Sequence, residues 1–136
     1  MDGFAMLEQD HRAVERLFDQ YEQSEDDATA RKICAALEKH ADVEEQVLYP
    51  TLREFGDKTS QLSDNAEEAH DTIEQTIGRV ELAAADAVPG LMKTLRSQVD
   101  PHVREEETDM FPTMRDLGVD PARLGDALEA AGGVAT

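Results

Sequence analysis

The most constraining feature of this chain is a pattern of histidine and glutamate that occurs twice. His40, Glu44, Glu45, Pro50, Thr51 and Arg53 are matched, in the same spacing, by His102, Glu106, Glu107, Pro112, Thr113 and Arg115. An earlier pair of segments matches too: Glu8, His11, Val14, Glu15 and Phe18 align with Glu67, His70, Ile73, Glu74 and Ile77. The chain therefore reads as two hairpins of one design, about residues 4–54 and 62–116. Pairing them gives a pseudo-twofold axis, across which each repeated polar residue is presented twice.

The spacing within each segment is helical. Phe4, Leu7, His11, Val14, Phe18 and Tyr21 step by three and four and form one stripe on a helix face. Ile33, Leu37, His40, Glu44, Val47 and Thr51 form a second stripe, and Leu62, Ala66, His70, Ile73, Ile77 and Val80 a third. Leu91, Leu95, His102, Glu106, Met110 and Met114 form the fourth, with Val99 beside them. The breaks between stripes are short and polar. Ser24 to Asp27 can cap the second helix, the stretch 55–60 offers Gly56 as a stop, and Pro89 suits a first helical turn. Short connections imply antiparallel neighbours. The expected fold is all-α: a single domain over 1–136, an up-down antiparallel four-helix bundle. A short C-terminal helix starts at Asp120-Pro121, uses Leu124 and Leu128, and ends at Gly132-Gly133. Pro50, Pro101 and Pro112 predict kinks or early stops.

Composition supports this and removes several functions. Apolar residues make up 40% of the chain, Trp is absent and only 4% is aromatic, so aliphatic residues and Met must build the core. A formal charge of −18 repels phosphate backbones and anionic lipid, which argues against nucleic acid and membranes as partners. No stretch approaches the roughly 18 apolar residues of a membrane span. The N-terminal residues lack the basic and apolar run of a signal peptide, and the single cysteine, Cys34, allows no internal disulfide. A cytoplasmic protein is expected.

All 4 histidines lie on the apolar stripes, one per helix. A lone histidine there is usually a packed core residue. Glu44 and Glu106 change that reading, because each follows a histidine by one helical turn and shares its face. An unpartnered buried carboxylate costs several kcal/mol. Imidazoles and carboxylates converging on one core are well compensated by divalent cations. Six ligands, His11, His40, Glu44, His70, His102 and Glu106, exceed one tetrahedral zinc site. They suit two ions roughly 3.5 Å apart, bridged by the carboxylates and by an oxide or hydroxide, with one open position on each. Mixed nitrogen and oxygen ligation fits iron, with manganese possible.

These residues resemble a known family. His11, His40-x3-Glu44, His70 and His102-x3-Glu106, followed by Tyr49-Pro50 and Phe111-Pro112, are similar to the hemerythrin-like (HHE cation-binding) domain over about residues 4–116. The resemblance implies a four-helix bundle with a non-haem di-iron centre that handles dioxygen, peroxide or nitric oxide, or senses iron or oxygen. Oxygen carriers of the family have a fifth histidine one turn after the third-helix ligand, where this chain has Glu74, and a longer HxxxxD spacing in the fourth helix. The more symmetric set here is closer to actinobacterial hemerythrin-like proteins. It implies a reaction with hydrogen peroxide, catalase-like, with dioxygen, nitric oxide or iron sensing without turnover as the alternative.

Other polar residues compete for roles. Glu15 and Glu74 also follow a histidine by four and are candidates for ligation or for bonding a ligand, against a plain solvated flank. Glu8 and Glu67 precede a histidine by three, as in a ferritin-like site, but that arrangement leaves His40 and His102 unused. Tyr49 could ligate or donate to a ligand, although an ideal helix turns it away from the face of His40. Cys34 reads as a buried, inert thiol.

Overall fold

The structure, a computed structural model, describes residues 1–133. Helix α1 is Gly3–Ser24. Helix α2, Asp27–Val43, continues through a π-helical turn, Glu44–Leu48, into α3, Tyr49–Arg53. Helix α4 is Asp57–Leu82. Helix α5, Val88–Glu105, continues through a second π-helical turn, Glu106–Met110, into α6, Phe111–Asp116, and α7 is Pro121–Ala130. The rods run up, down, up, down, with α1 against α2 and α4 against α5, so the two sequence repeats are the two hairpins. No strand occurs among the described residues, and no helix among them is long and apolar enough to cross a membrane.

Local chemistry fixes the ends. The Asp2 carboxylate accepts the Phe4 and Ala5 N–H groups at 2.8 and 3.2 Å and caps α1. Glu25, left-handed at φ 51°, turns the chain out of α1, and its N–H donates to the Tyr21 carbonyl. Gly56, at φ 114°, reverses the chain so tightly that α4 starts at Asp57, five residues before the stripe does at Leu62. The Asp120 side chain accepts from the Ala122 N–H and opens α7.

The prolines act differently from a simple kink rule. Pro50 and Pro112 each stand two residues past a π turn, five residues that widen the helix by one residue. A proline cannot donate to the carbonyl four residues back and its ring crowds that group; the wider turn relieves both problems without ending the rod. Pro101, expected to break its helix, stays inside α5. It lies on the exposed face, where water can satisfy the carbonyl it leaves without a partner.

Packing divides the interior in two. One cluster gathers Val14, Phe18, Ile33, Ile77, Leu95 and their neighbours near the α1–α2 and α4–α5 turns. The other gathers Phe4, Leu7, Leu48, Tyr49, Phe111 and Met114, and is closed by Leu124 and Leu128 of α7. On every rod the histidine falls between the two clusters, for example between Leu7 and Val14 or between Val99 and Met110. The apolar stripes thus place a single polar layer inside the bundle.

Helix α7 lies close on α1 because two glycines let it. A Cβ on Gly125 would stand 2.0 Å from the Met1 carbonyl oxygen, and one on Gly3 would stand 2.5 Å from Leu124 Cγ. Gly125→Val is therefore expected to lift α7 and destabilise the bundle by about 1–3 kcal/mol. A thermal melt of wild type and variant measures this; an unchanged melting temperature would mean that α7 contributes nothing to the core.

Candidate metal centre

The polar layer holds His11, His40, His70 and His102, each at most 8% exposed, and Glu44 and Glu106, both fully buried. Their donor atoms form two groups, within each of which all lie within 4.8 Å of one another. His11, His40, Glu44 and Glu106 form one, and Glu44, His70, His102 and Glu106 the other. The glutamates belong to both. His11 Nε2 lies 3.2 Å from His40 Nε2, and His70 Nε2 lies 3.0 Å from His102 Nε2. Glu106 reaches across the layer, with Oε1 3.1 Å from His11 Nε2 and Oε2 3.1 Å from His102 Nε2. Glu44 Oε1 lies 3.3 Å from His40 Nε2 and 3.1 Å from His70 Nε2.

Glu15 and Glu74, the other carboxylates at the same spacing, do not join the layer. Glu15 is half exposed and pairs with Arg12 at 3.1 Å, and Glu74 lies on the surface. The reason is the side on which the apolar stripe flanks each histidine. One residue turns an α-helix by about 100°. In α1 and α4 the stripe runs through Val14 and Ile73, three residues after the histidine, which rotates the fourth residue outward. In α2 and α5 an apolar residue, Leu37 or Val99, also stands three before the histidine, where α1 and α4 have Glu8 and Glu67; that position shares its side of the helix with the fourth residue after, so Glu44 and Glu106 turn inward. Glu8 and Glu67 also stay outside, paired with Arg115 at 3.6 Å and Arg53 at 3.0 Å.

Tyr49 overturns the ideal-helix expectation. The π turn adds a residue between Glu44 and Tyr49, so the fifth residue, not the fourth, returns to the ligand face. The Tyr49 hydroxyl lies 2.8 Å from His70 Nε2, 3.2 Å from Glu44 Oε1 and 3.3 Å from Glu106 Oε2. Its single proton is shared among three acceptors. Burial, then the charges of Glu44 and Glu106, push its pKa far up, so with no cation nearby the phenol stays protonated.

Two carboxylates that sequence reasoning left without a role hold the outer nitrogens. Asp10, fully buried, accepts from His40 Nδ1, and Glu107 lies 2.6 Å from His11 Nδ1 while also binding Arg12 at 2.7 Å. Each fixes its imidazole with Nε2 turned inward, so that the neutral ring presents its lone pair to the layer. The signals were available. Asp10 lies one turn after buried Met6 and seven residues before Leu17, on a second row beside the main stripe. Glu107 is the second member of a glutamate pair that occurs in both repeats.

The electrostatics show what the layer lacks. Burial pulls the histidines toward neutrality, but Glu44 and Glu106 outweigh it. His11 is raised, His40 is raised well above its usual value, and His102 is pushed up to about 10. Burial likewise raises Glu44, yet His40, His102 and His70 hold it well below the usual carboxylate range. Even so, Glu44 Oε2 has no hydrogen-bond partner, and nitrogens face nitrogens at about 3 Å. Protons can neutralise this set only in part; metal cations would satisfy every inward lone pair together, and the donor set fits them.

A cleft of about 660 Å³ between α2 and α4 opens onto the layer and reaches all four histidines. Its inner wall is apolar, with Val14, Ile73, Ile77 and Val99, and its rim carries four acidic residues, Glu38, Asp42, Glu45 and Glu74, against one basic residue, Lys39. Cys34 lies outside this cleft, and burial, with Glu38 and Glu81 nearby, pushes its thiol up to about 11, as suits an inert side chain.

The hemerythrin HHE cation binding domain matches residues 2–114. The chain belongs to this family. Family and donor layer together make the protein a metal-binding bundle, with iron the metal they point to. Among curated proteins, a DNA nickase from Nostoc sp. (strain PCC 7120) is similar, 32% identical over 120 residues that make up 81% of this chain and 32% of that protein. The chain thus spans about a third of that relative's length. No solved structure matches.

Because His40 is raised well above its usual value and His102 to about 10, a metal must displace protons from this layer at pH 7. Apparent metal affinity is therefore expected to rise with pH from 6 towards 9. Titrating metal into weakly buffered protein at pH 7 should release protons, seen with a pH indicator. Binding without proton release would mean that the imidazoles are already neutral.

Proposed function

We propose that this protein holds two iron ions in the polar layer and uses them to react with a small oxidant, hydrogen peroxide first among them. What supports this is one observation: two four-residue donor groups share Glu44 and Glu106. Glu106 turns one oxygen toward each group, and Glu44 Oε1 lies between His40 and His70, so both carboxylates are placed where they could be shared by two ions. His11 and His40 would serve one ion and His70 and His102 the other. Manganese would be accepted by the same donors.

When bound, the pair of irons would supply the redox and Lewis-acid chemistry on the O–O bond. The chain's own groups do the rest. The apolar wall of Val14, Ile73, Ile77 and Val99 admits a small neutral molecule, while the acidic rim disfavours anions. The Tyr49 hydroxyl, between His70 Nε2 and both glutamates, holds a proton beside the layer, where it could donate a hydrogen bond to an oxidant that reaches the site. Decomposition converts two molecules of hydrogen peroxide into two of water and one of dioxygen, so no other reductant is needed.

A second reading has its own support. The donors come from all four rods, so occupancy ties both hairpins together, as a module that binds or senses dioxygen, nitric oxide or iron would require. At a metal concentration about a hundredfold above Kd, binding stabilises by about 2.7 kcal/mol, a rise in melting temperature on the order of 10 °C. Equal melting temperatures for stripped and loaded protein would remove this reading.

Strand nicking is not carried over from the longer relative. The rim that guards the cleft, and the chain's −18 charge, oppose a phosphate backbone. A cytoplasmic setting is the simplest one for such an activity.

Two measurements test the proposal. Reconstituted wild type should bind two irons per chain and evolve dioxygen from peroxide at an oxygen electrode, whereas Glu44→Gln, by removing a shared ligand, should bind one or none and lose at least 90% of the rate, on the order of 1.4 kcal/mol or more. The same loaded protein should leave supercoiled plasmid intact. Two-iron protein that evolves no dioxygen refutes the peroxide reaction, and accumulation of nicked circles refutes the exclusion of nucleic acid.

A further inference from the structure

The pseudo-twofold axis that relates the two hairpins is broken at the polar layer in two places, and both breaks act on the same half. By the alignment of the repeats, Asp10 precedes His11 where Ala69 precedes His70, and Tyr49 stands where Phe111 stands. The structure turns these differences into unlike surroundings. Around His11 and His40, both outer nitrogens are held by carboxylates: Glu107 at 2.6 Å from His11 Nδ1, and Asp10 on His40 Nδ1. Phe111 lies parallel to the His11 ring, 6.2 Å away, and offers no polar atom.

Around His70 and His102 the support is missing. His70 Nδ1 is buried without a hydrogen bond, and the repeat partner of Glu107, Glu45, stops 3.8 Å short of it. Among the described residues no carboxylate lies within ion-pair distance of His102 Nδ1, because the position that would supply one is Ala69. The inner side is also engaged, since the Tyr49 hydroxyl lies 2.8 Å from His70 Nε2, on the lone pair an ion would use.

We propose that the two halves of the centre are unequal. The His11–His40 half, positioned by Asp10 and Glu107, takes the first metal ion and keeps it. The His70–His102 half, unsupported outside and contacted inside by Tyr49, takes the second ion more weakly. A carboxylate on the outer nitrogen locks the tautomer and raises the basicity of the inner one, and removing such a partner typically weakens metal binding about 10–100-fold. Filling the second half requires the Tyr49 hydroxyl to give up its 2.8 Å contact with His70 Nε2 and keep those to Glu44 and Glu106, at 3.2 and 3.3 Å. The weaker half is then also the half whose ion exchanges more readily. Asp10, Glu107 and Tyr49 are positioning residues in this scheme.

This inference rests on the two-ion reading above, and the test separates the two. Metal-stripped full-length protein is titrated with Mn²⁺ by calorimetry at pH 7. Wild type should bind two ions in two phases whose affinities differ at least tenfold. Glu107→Gln and Asp10→Asn should weaken the tight phase by about 10–100-fold and leave the weak phase within about threefold. Tyr49→Phe should change the weak phase alone, tightening it. Glu107 lies near the surface, so its variant tests the idea even if Asp10→Asn, in the interior, folds poorly. Two indistinguishable phases in wild type, or variants that weaken both phases equally, overturn the inequality and leave the two-ion reading standing. A single ion per chain overturns the two-ion reading itself.

Discussion

Two carboxylates, Glu44 and Glu106, lie in the middle of this bundle with no access to solvent. Everything around them is arranged to make that tolerable. Each isolated anion there would cost several kcal/mol after relaxation, a large share of the stability of a small domain. Four imidazoles, a phenol and the carboxylates themselves converge on one layer, with apolar clusters packed above and below it. Protonated histidines compensate the charge only in part, since some oxygens still lack a partner. Cation binding is the arrangement in which burial, charge and lone pairs agree.

The helices that carry the glutamates are built to deliver them. Each continues from ligand glutamate to proline through a π turn, and the same device occurs in both hairpins. The proline removes a hydrogen bond and crowds a carbonyl, and the wider turn absorbs both effects. In the first hairpin this also swings Tyr49 into the layer. In the second it swings Phe111 toward His11, where an aromatic ring is all that arrives. One backbone device, with one hydroxyl more or less, gives two different environments.

Much of this is legible in the sequence. The three-and-four spacing of Phe4, Leu7, His11 and Val14, and its counterparts, specifies four rods and fixes the histidines between apolar neighbours. Glu44 and Glu106 can be separated from Glu15 and Glu74 by asking whether the residue three before each histidine is apolar, as Leu37 and Val99 are, or charged, as Glu8 and Glu67 are. Other features are not local. Tyr49 reaches the layer only because the backbone leaves the α-helical period just before it, and a fixed 3.6-residue period cannot show that. Asp10 and Glu107 act across helices, on His40 and His11, so their roles depend on how the rods are rotated against each other. The start of α4 at Asp57 follows from Gly56 in a left-handed conformation, which the apolar stripe beginning at Leu62 does not reveal.

The family places a cation-binding site on this fold, and the geometry shows which side chains surround it. The cleft that opens onto this layer has an apolar inner wall and a mostly acidic rim. The most direct measurement is an anomalous-difference map at the iron edge from crystals of iron-reconstituted protein. Two peaks about 3.5–4 Å apart are expected, each beside two histidine Nε2 atoms and both flanked by Glu44 and Glu106. No peak inside the bundle, or iron bound only at surface carboxylates, would contradict a buried metal pair as the compensation for these charges.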